Sequence, residues 1–279
     1  MEPKIYGVLG YPVKHSFSPA MHNAAFRQLH IDAEYRYFEK KPEDLDSFMS
    51  SLPKEGILGL NVTVPYKEKV ILFLAKVSAE ARLIGAVNTI KVTGSVLEGF
   101  NTDGAGFLKH LKEDLEFEPR GKDVALIGSG GAARAITVYL AKDKVKRISL
   151  FDIDLRKAQI LLAQLKSNFK DTVFYAASSI EDLGLSECDL LVNATPVGMK
   201  VNDPCLVPEK LLHRDLLVYD LIYNPKETKL LSTARERGLK TANGLGMLLY
   251  QGALSFEIWI EKKPPLEAMR QALMEVVYK

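Results

Sequence analysis

The chain has 279 residues, enough for two ordinary domains with separate cores, and its 47% hydrophobic and 26% charged residues exclude a disordered polymer. A formal net charge of +2, without a run of lysine or arginine, gives no footing for nucleic acid or an anionic membrane. No stretch approaches the about 18 consecutive apolar residues of a membrane span, and Met1-Glu2-Pro3-Lys4 lacks a signal-peptide layout, so a cytoplasmic protein of small-molecule chemistry is expected.

Strand-like runs alternate with helical patterns along the chain, which predicts an α/β protein with largely parallel sheets. The first half reads as a strand over 5–9, a helix over 19–29, a strand over 34–38, a helix over 42–51, a strand over 58–64 and a helix over 66–76. Strands over 87–92 and 96–100 follow, joined through Thr93-Gly94-Ser95 as a hairpin. The polar stretch 113–122, interrupted by Pro119 and Gly121, marks a domain boundary. Strands over 124–127, 148–151, 173–176, 190–193 and 217–221 then predict a doubly wound, Rossmann-type dinucleotide-binding domain. Two late helices, over 246–260 and 266–277, flank Lys262-Lys263-Pro264-Pro265. Cys188 and Cys205, the only thiols, lie far apart with no CxxC pair or histidine cluster, so neither a metal site nor a structural disulfide is expected.

The strand over 124–127 runs into Gly128-Ser129-Gly130-Gly131-Ala132-Ala133 and then into a helix-forming segment. Gly128, Gly130 and Ala133 have the GxGxxG/A spacing that brings backbone N–H groups against a pyrophosphate at a helix N-terminus. The second strand of this half ends in Asp152-Ile153-Asp154, near the interval of about 20 residues at which an acid binds the ribose 2′-hydroxyl. A carboxylate there accepts from a free hydroxyl and repels a 2′-phosphate, so NAD is the expected cofactor. Arg156 and Lys157, just inside the next helix, keep NADP open as the alternative.

Polar residues in the first half exceed what strands and turns require. Ser18 is placed as an N-cap with Pro19 at the first helical position, which leaves Ser16 unexplained; two hydroxyls beside a helix N-terminus suit a carboxylate. Alternation brings Asn61 and Thr63 to one face of a strand, and Lys67 falls in the first turn of the helix predicted after Pro65, where the macrodipole disfavours an ammonium. An ordinary surface lysine is the competing reading. Asn88 and Asp103 complete the set, with helix capping the simpler role for Asp103. If Lys67 and Asp103 met, the carboxylate would hold the amine while it exchanged a proton with a substrate hydroxyl.

These segments together resemble the shikimate dehydrogenase family: Ser16-Phe17-Ser18-Pro19, Asn61-Val62-Thr63-Val64-Pro65-Tyr66-Lys67, Ala86-Val87-Asn88-Thr89, Asn101-Thr102-Asp103, the Gly128 turn, Asn193-Ala194-Thr195, Tyr219-Asp220-Leu221-Ile222-Tyr223, and Asn243 to Gln251. The resemblance implies reversible reduction of 3-dehydroshikimate to shikimate, in the shikimate pathway of aromatic amino acid biosynthesis. It implies a substrate-binding and catalytic domain over 1–112 joined by returning C-terminal helices over 244–279, a dinucleotide domain over 113–243, and substrate held between them. By position, Lys67 and Asp103 match the catalytic pair and Ser16 and Ser18 the substrate carboxylate site. Asn61, Thr63, Asn88, Asp103, Tyr223 and Gln251 match positions around the ring hydroxyls and carboxylate. The loop residues Gly128, Gly130, Gly131, Ala132 and Ala133, with Asp152, Thr195, Gly244 and Met247, match the cofactor side. The implied partner is a small molecule, bound by a monomer or homodimer, and no metal is called for. One departure stands out: NADP-dependent members resemble Asn-Arg-Thr where this chain has Asp152-Ile153-Asp154, and members with an acid there look NAD-preferring, some oxidising quinate as well. An NAD-dependent quinate/shikimate dehydrogenase is therefore the alternative, and a non-catalytic sensor of NAD or shikimate the remote one.

Overall fold

The computed structural model describes residues 3–277 and divides into two compact units, one formed by the chain up to Gly106 together with the segment from Leu248 onward, the other by Phe107–Met247. The first unit opens with β1 (Lys4–Gly10), α1 (Ser18–Gln28), β2 (Ala33–Glu39), α2 (Leu45–Ser51) and β3 (Ile57–Val62). It continues through β4 (Lys76–Val77), α3 (Ala79–Ile84), β5 (Thr89–Thr93) and β6 (Val96–Phe100) to the start of α4 (Asp103–Glu113). The sheet order is β2-β1-β3-β5-β6-β4. The sheet is mixed: β1 pairs parallel with β2 and β3, whereas β5 runs antiparallel to both β3 and β6. A tight turn at Gly94, whose φ is +60°, reverses the chain between β5 and β6, and so short a link permits only antiparallel pairing.

In the first unit one predicted helix is missing, and a short helix, α3, and a short strand, β4, are added. The helix expected over 66–76 is absent, and only a short 3₁₀ stretch, Lys69–Phe73, stands in its place. The Lys67 carbonyl accepts from the Val87 N–H at 2.7 Å, which takes the acceptor away from an i+4 ladder and ties this segment to the approach to β5. Helix α3, by contrast, was not anticipated; at 6 residues it is too short for its apolar period to register. Its ends are well marked nonetheless, with the Ser78 hydroxyl accepting from the Ala81 N–H and Gly85 in the left-handed region at φ 73°.

The second unit continues α4 and carries β7 (Asp123–Ile127), α5 (Gly131–Lys142), β8 (Arg147–Phe151), α6 (Leu155–Lys166) and β9 (Val173–Ala177). After these come β10 (Leu190–Asn193), β11 (Leu217–Asp220), α7 (Lys229–Glu236) and β12 (Thr241–Ala242). All six strands are parallel, in the order β9-β8-β7-β10-β11-β12. Chain direction across the sheet reverses between β7 and β10, the switch point at which open α/β sheets bind ligands beyond the carboxyl ends of their strands. Every residue of β7 is buried, as the uninterrupted apolar run Val124 to Ile127 requires of a central parallel strand.

The chain re-enters the first unit along α8 (Leu245–Ile260), and α9 (Leu266–Val277) follows. Alternation along β1 explains what these helices cover. Tyr6 and Val8 join a core with Phe256, Trp259 and Met269 from α8 and α9 and with Met21 and Phe26 from α1. Leu9 and Ile5 face a second core built on Phe48, Met49, Leu60 and Ile90. Burying each such side chain contributes roughly 1.5–3 kcal/mol, so both faces of this sheet are independently stabilised. None of the described helices is long and apolar enough to cross a membrane.

Candidate active site

Lys67 and Asp103 meet. The Lys67 Nζ lies 2.5 Å from Asp103 Oδ2, and the pair is largely buried, with side-chain exposures of 15% and 5%. Lys67 sits in the irregular segment after β3, so the expectation that a helix macrodipole acts on its amine is overturned. What surrounds the ammonium is the Asp103 carboxylate. Asp103 in turn is not used as a cap: its own N–H donates to Asn101 Oδ1 at 3.0 Å, and Asn101 is held by donating to the Ala86 carbonyl. Both Asp103 oxygens are thereby left for side chains, Oδ2 for Lys67 and Oδ1 for the Asn88 amide at 2.8 Å.

A buried polar network fixes this geometry. Asn88 Oδ1 accepts from the Thr102 N–H at 2.8 Å and the Thr89 hydroxyl at 2.9 Å, which orients the amide so that Nδ2 reaches Asp103, Thr102 Oγ1 and Gln251 Oε1. Asn61, on β3, is oriented the same way: Oδ1 accepts from the Tyr35 hydroxyl at 2.8 Å while Nδ2 donates to the Ser255 hydroxyl and the Asn88 carbonyl. Ser255 also bonds Thr89 at 2.7 Å and donates to the Gln251 carbonyl one helical turn back. In a low-dielectric interior a network with every member satisfied rigidifies what it holds. Thr102 and Ser255 were not among the expected site residues. Ser255 lies four positions after Gln251 on α8, so helical spacing was the one available signal.

The remaining predicted residues of the first unit are placed as follows. Ser16 and Ser18 are buried and linked, Oγ to Oγ at 3.1 Å, and the Ser18 N–H donates to Ser16 Oγ at 3.3 Å. The helix begins one residue earlier than expected, with Phe17 at the cap position and Ser18 inside α1, so the Ser18 hydroxyl is not an N-cap. Thr63 lies just past the end of β3, its methyl close to Gly10, and half-buried. Tyr223 belongs to the second unit, in the loop after β11, and is half-buried there.

In the second unit the predicted cofactor residues follow the carboxyl ends of β7, β8, β10 and β12. Gly128 has φ 102°, and a Cβ there would lie 3.0–3.2 Å from Thr195 and Ala194. A Cβ on Gly130 would meet nothing within 4 Å, and α5 begins at Gly131 without any side-chain cap. The turn therefore offers open approach to the uncapped N–H groups of Gly131, Ala132 and Ala133, an arrangement that fits a pyrophosphate. Gly244 approaches the backbone more closely still, with 2.0 Å between its would-be Cβ and the Leu221 carbonyl oxygen. Met247 is buried near the start of α8. Thr195 is pinned by its N–H and hydroxyl to Asn193 Oδ1 at 3.0 and 2.7 Å. Asn193 donates to Asp220, whose carboxylate also accepts from Thr228 and the Ile222 N–H. Burial raises the Asp220 carboxyl above its ordinary pKa in spite of those bonds.

Asp152 does not sit as a free ribose acceptor. Its Oδ2 takes the N–H and hydroxyl of Ser129 at 2.8 and 2.6 Å, and its Oδ1 takes the Asp154 N–H at 2.9 Å. Only an available carboxylate would favour NAD, and this one is bound to the glycine loop. Asp154 likewise caps α6 by accepting from the Arg156 N–H, while the Arg156 and Lys157 side chains are exposed.

A family model described as the shikimate dehydrogenase substrate binding domain matches residues 8–90, and one described as the shikimate 5′-dehydrogenase C-terminal domain matches residues 244–274. The chain is 43% identical over 280 residues to a relative from Methanopyrus kandleri, covering 98% of this chain and 96% of that one. It is 42% identical to a relative from Desulforamulus reducens, covering 99% and 96%. Both relatives are named shikimate dehydrogenase (NADP+). Among solved structures, a shikimate dehydrogenase in complex with NADP+ superposes with a TM-score of 0.91 at 38% identity, covering 99% of this chain and 96% of that one. These relatives overturn the expectation of NAD drawn from Asp152, and the bonded state of its carboxylate is the physical reason that expectation failed. With identity of this order sustained over nearly the full length of both chains, the chain belongs to the shikimate dehydrogenase family.

Proposed function

We propose that this enzyme reduces 3-dehydroshikimate reversibly to shikimate with NADPH, within the biosynthesis of aromatic amino acids. The observation that carries the proposal is the Lys67–Asp103 contact at 2.5 Å, held from behind by Asn88. The nicotinamide, when bound, supplies or removes the hydride at the substrate C3. Lys67 gives a proton to the oxygen developing charge in the reduction and takes it back in the oxidation. Asp103, with one oxygen anchored by Asn88, orients the amine and balances its charge. Ser16 and Ser18 offer paired hydroxyls for the substrate carboxylate, and Asn61, Thr63, Asn88 and Gln251 supply donors and acceptors for the ring hydroxyls. The first unit is thus the substrate-binding part and the second the dinucleotide-binding part.

The glycine turn at the N-terminus of α5 would hold the pyrophosphate, with Thr195, Gly244 and Met247 toward the nicotinamide. Arg156 and Lys157, exposed beside two acids that are both occupied by backbone donors, would take the 2′-phosphate. Two free thiols, Cys188 buried and Cys205 exposed, support a reducing compartment such as the cytoplasm. Crossing shikimate and quinate with NADP+ and NAD+, and following reduced-nicotinamide absorbance, tests the reading. Shikimate with NADP+ should give the highest kcat/KM; preference for quinate, or binding of shikimate without turnover, would overturn it.

A further inference from the structure

An acid at the end of β8 conflicts with a phosphorylated ribose unless something restrains it, and the structure contains such a restraint. An ionised carboxylate has about four acceptor directions. On Asp152 three are in use: two on Oδ2, from the N–H and hydroxyl of Ser129, and one on Oδ1, from the Asp154 N–H. Recognition of a free ribose through both its 2′- and 3′-hydroxyls needs two acceptor directions, and one remains. Ser129 is well placed for this task. It is 4% exposed, stands between Gly128 and Gly130 in the turn, and reaches the same carboxylate oxygen through two of its own donors. Asp154 is exposed and commits one carboxylate oxygen to the Arg156 N–H as the cap of α6, and Ile153 between them is 98% exposed and uncharged.

We propose that Ser129 is a specificity-determining residue: its hydroxyl holds the Asp152 carboxylate against the glycine turn, withdrawing it from the ribose 2′-position so that a 2′-phosphate is accepted there. The inference rests on the NADP reading above and gives it a cause. Only the side-chain bond is at issue, because the backbone bond from position 129 persists whatever residue stands there. Removing the hydroxyl returns one acceptor direction of Oδ2 to solvent and ligand while leaving the aspartate in place.

The test uses the whole enzyme and two probes, ADP-ribose and 2′-phospho-ADP-ribose, with dissociation constants from isothermal titration calorimetry. Wild type should bind the phosphorylated probe more tightly. Ser129→Ala should shift the ratio of the two constants about tenfold toward ADP-ribose, the scale of one hydrogen bond to a charged group. The ratio of kcat/KM for NADP+ and NAD+ should move in the same direction. A general loss of folding lowers both affinities together and leaves the ratio unmoved. In an Asp152→Ala background the serine substitution should change nothing further. An unchanged ratio in Ser129→Ala that keeps the wild-type melting temperature, or an equal shift without Asp152, overturns this inference alone. Tighter binding of ADP-ribose by wild type overturns both it and the cofactor reading.

Discussion

In the first unit the polar atoms that converge belong to side chains, drawn from positions as far apart as Tyr35, Asn61, Asn88, Asp103 and Ser255. In the second they belong mostly to the backbone of one short turn, Gly128 to Ala133, with side chains such as Asn193 and Asp220 working behind it to shape neighbouring loops. The two solutions suit different ligands. A small ring with several hydroxyls must be read atom by atom, which needs donors and acceptors locked in orientation by a satisfied network. A pyrophosphate needs charge-complementary N–H groups and room to approach them, which glycine and a helix N-terminus supply without side chains. Damage should therefore take different forms in the two units: loss of turnover in the first, loss of fit and stability in the second.

The largest effect is expected at Lys67. Replacing it with methionine keeps the chain length and removes the proton donor, so kcat should fall at least about 100-fold with little change in substrate affinity, as steady-state kinetics and shikimate titration would show. A near-normal kcat would take the amine out of the reaction. In the second unit the matching stress is Gly244→Ala, where the new Cβ would press on the Leu221 carbonyl oxygen from 2.0 Å. That obstacle is backbone and cannot rotate away, so a cost of about 2 kcal/mol and a Tm lower by roughly 5 °C is expected. KM for NADP+ should rise while kcat stays comparatively level. Asn88→Ala should be milder than Lys67→Met. It frees one oxygen of Asp103 without removing the pair, and a kcat loss of about tenfold would follow from one lost bond to a charged group. Were its loss as large as that of Lys67→Met, the working geometry of the Lys67–Asp103 pair would depend wholly on Asn88.

The same contrast explains what could be read in the sequence. The glycine turn was legible because its signal is local: strand, turn and helix follow within about 20 residues, and each glycine has a backbone reason. The Lys67–Asp103 pair could be raised from its chemistry and matched through the family pattern, but its contact could not be read, since 36 positions separate the two residues and no periodicity joins them. The helix expected over 66–76 failed because a distant donor, the Val87 N–H, captured the Lys67 carbonyl, which no window around Lys67 could disclose. Asp152 failed for a related reason. Its position was read correctly as the end of β8, but its carboxylate had already been engaged by Ser129, 23 residues earlier in the chain. Position along the chain located the groups, while the partners that set their chemistry came from elsewhere in the fold.

The smallest effect at neutral pH, and the one that separates packing from chemistry in the first unit, concerns His22. Its ring stacks on Tyr35 with centroids 4.3 Å apart and planes 5° from parallel, directly behind the tyrosine whose hydroxyl orients Asn61. Neither ring nitrogen has a hydrogen-bond partner among the described residues. Burial pushes the imidazole down from 6.5 to about 3. Between those values the unfolded chain binds a proton that the folded protein refuses, so stability is full above pH 6.5 and declines as pH falls toward 3, by a few kcal/mol at the low end. His22→Phe keeps the stacked ring and leaves no polar group unsatisfied. Its melting temperature at pH 7.5 should stay within about 2 °C of wild type, whereas across the acid range it should fall less steeply. If the substitution left the acid dependence unchanged, His22 would not be the group responsible, and the slope would have to be assigned to carboxylates such as those at the ion pairs. If instead kcat collapsed at neutral pH while the melting temperature held, the ring would be doing more than supporting Tyr35, and the side-chain network of the first unit would extend one residue deeper than its hydrogen bonds indicate.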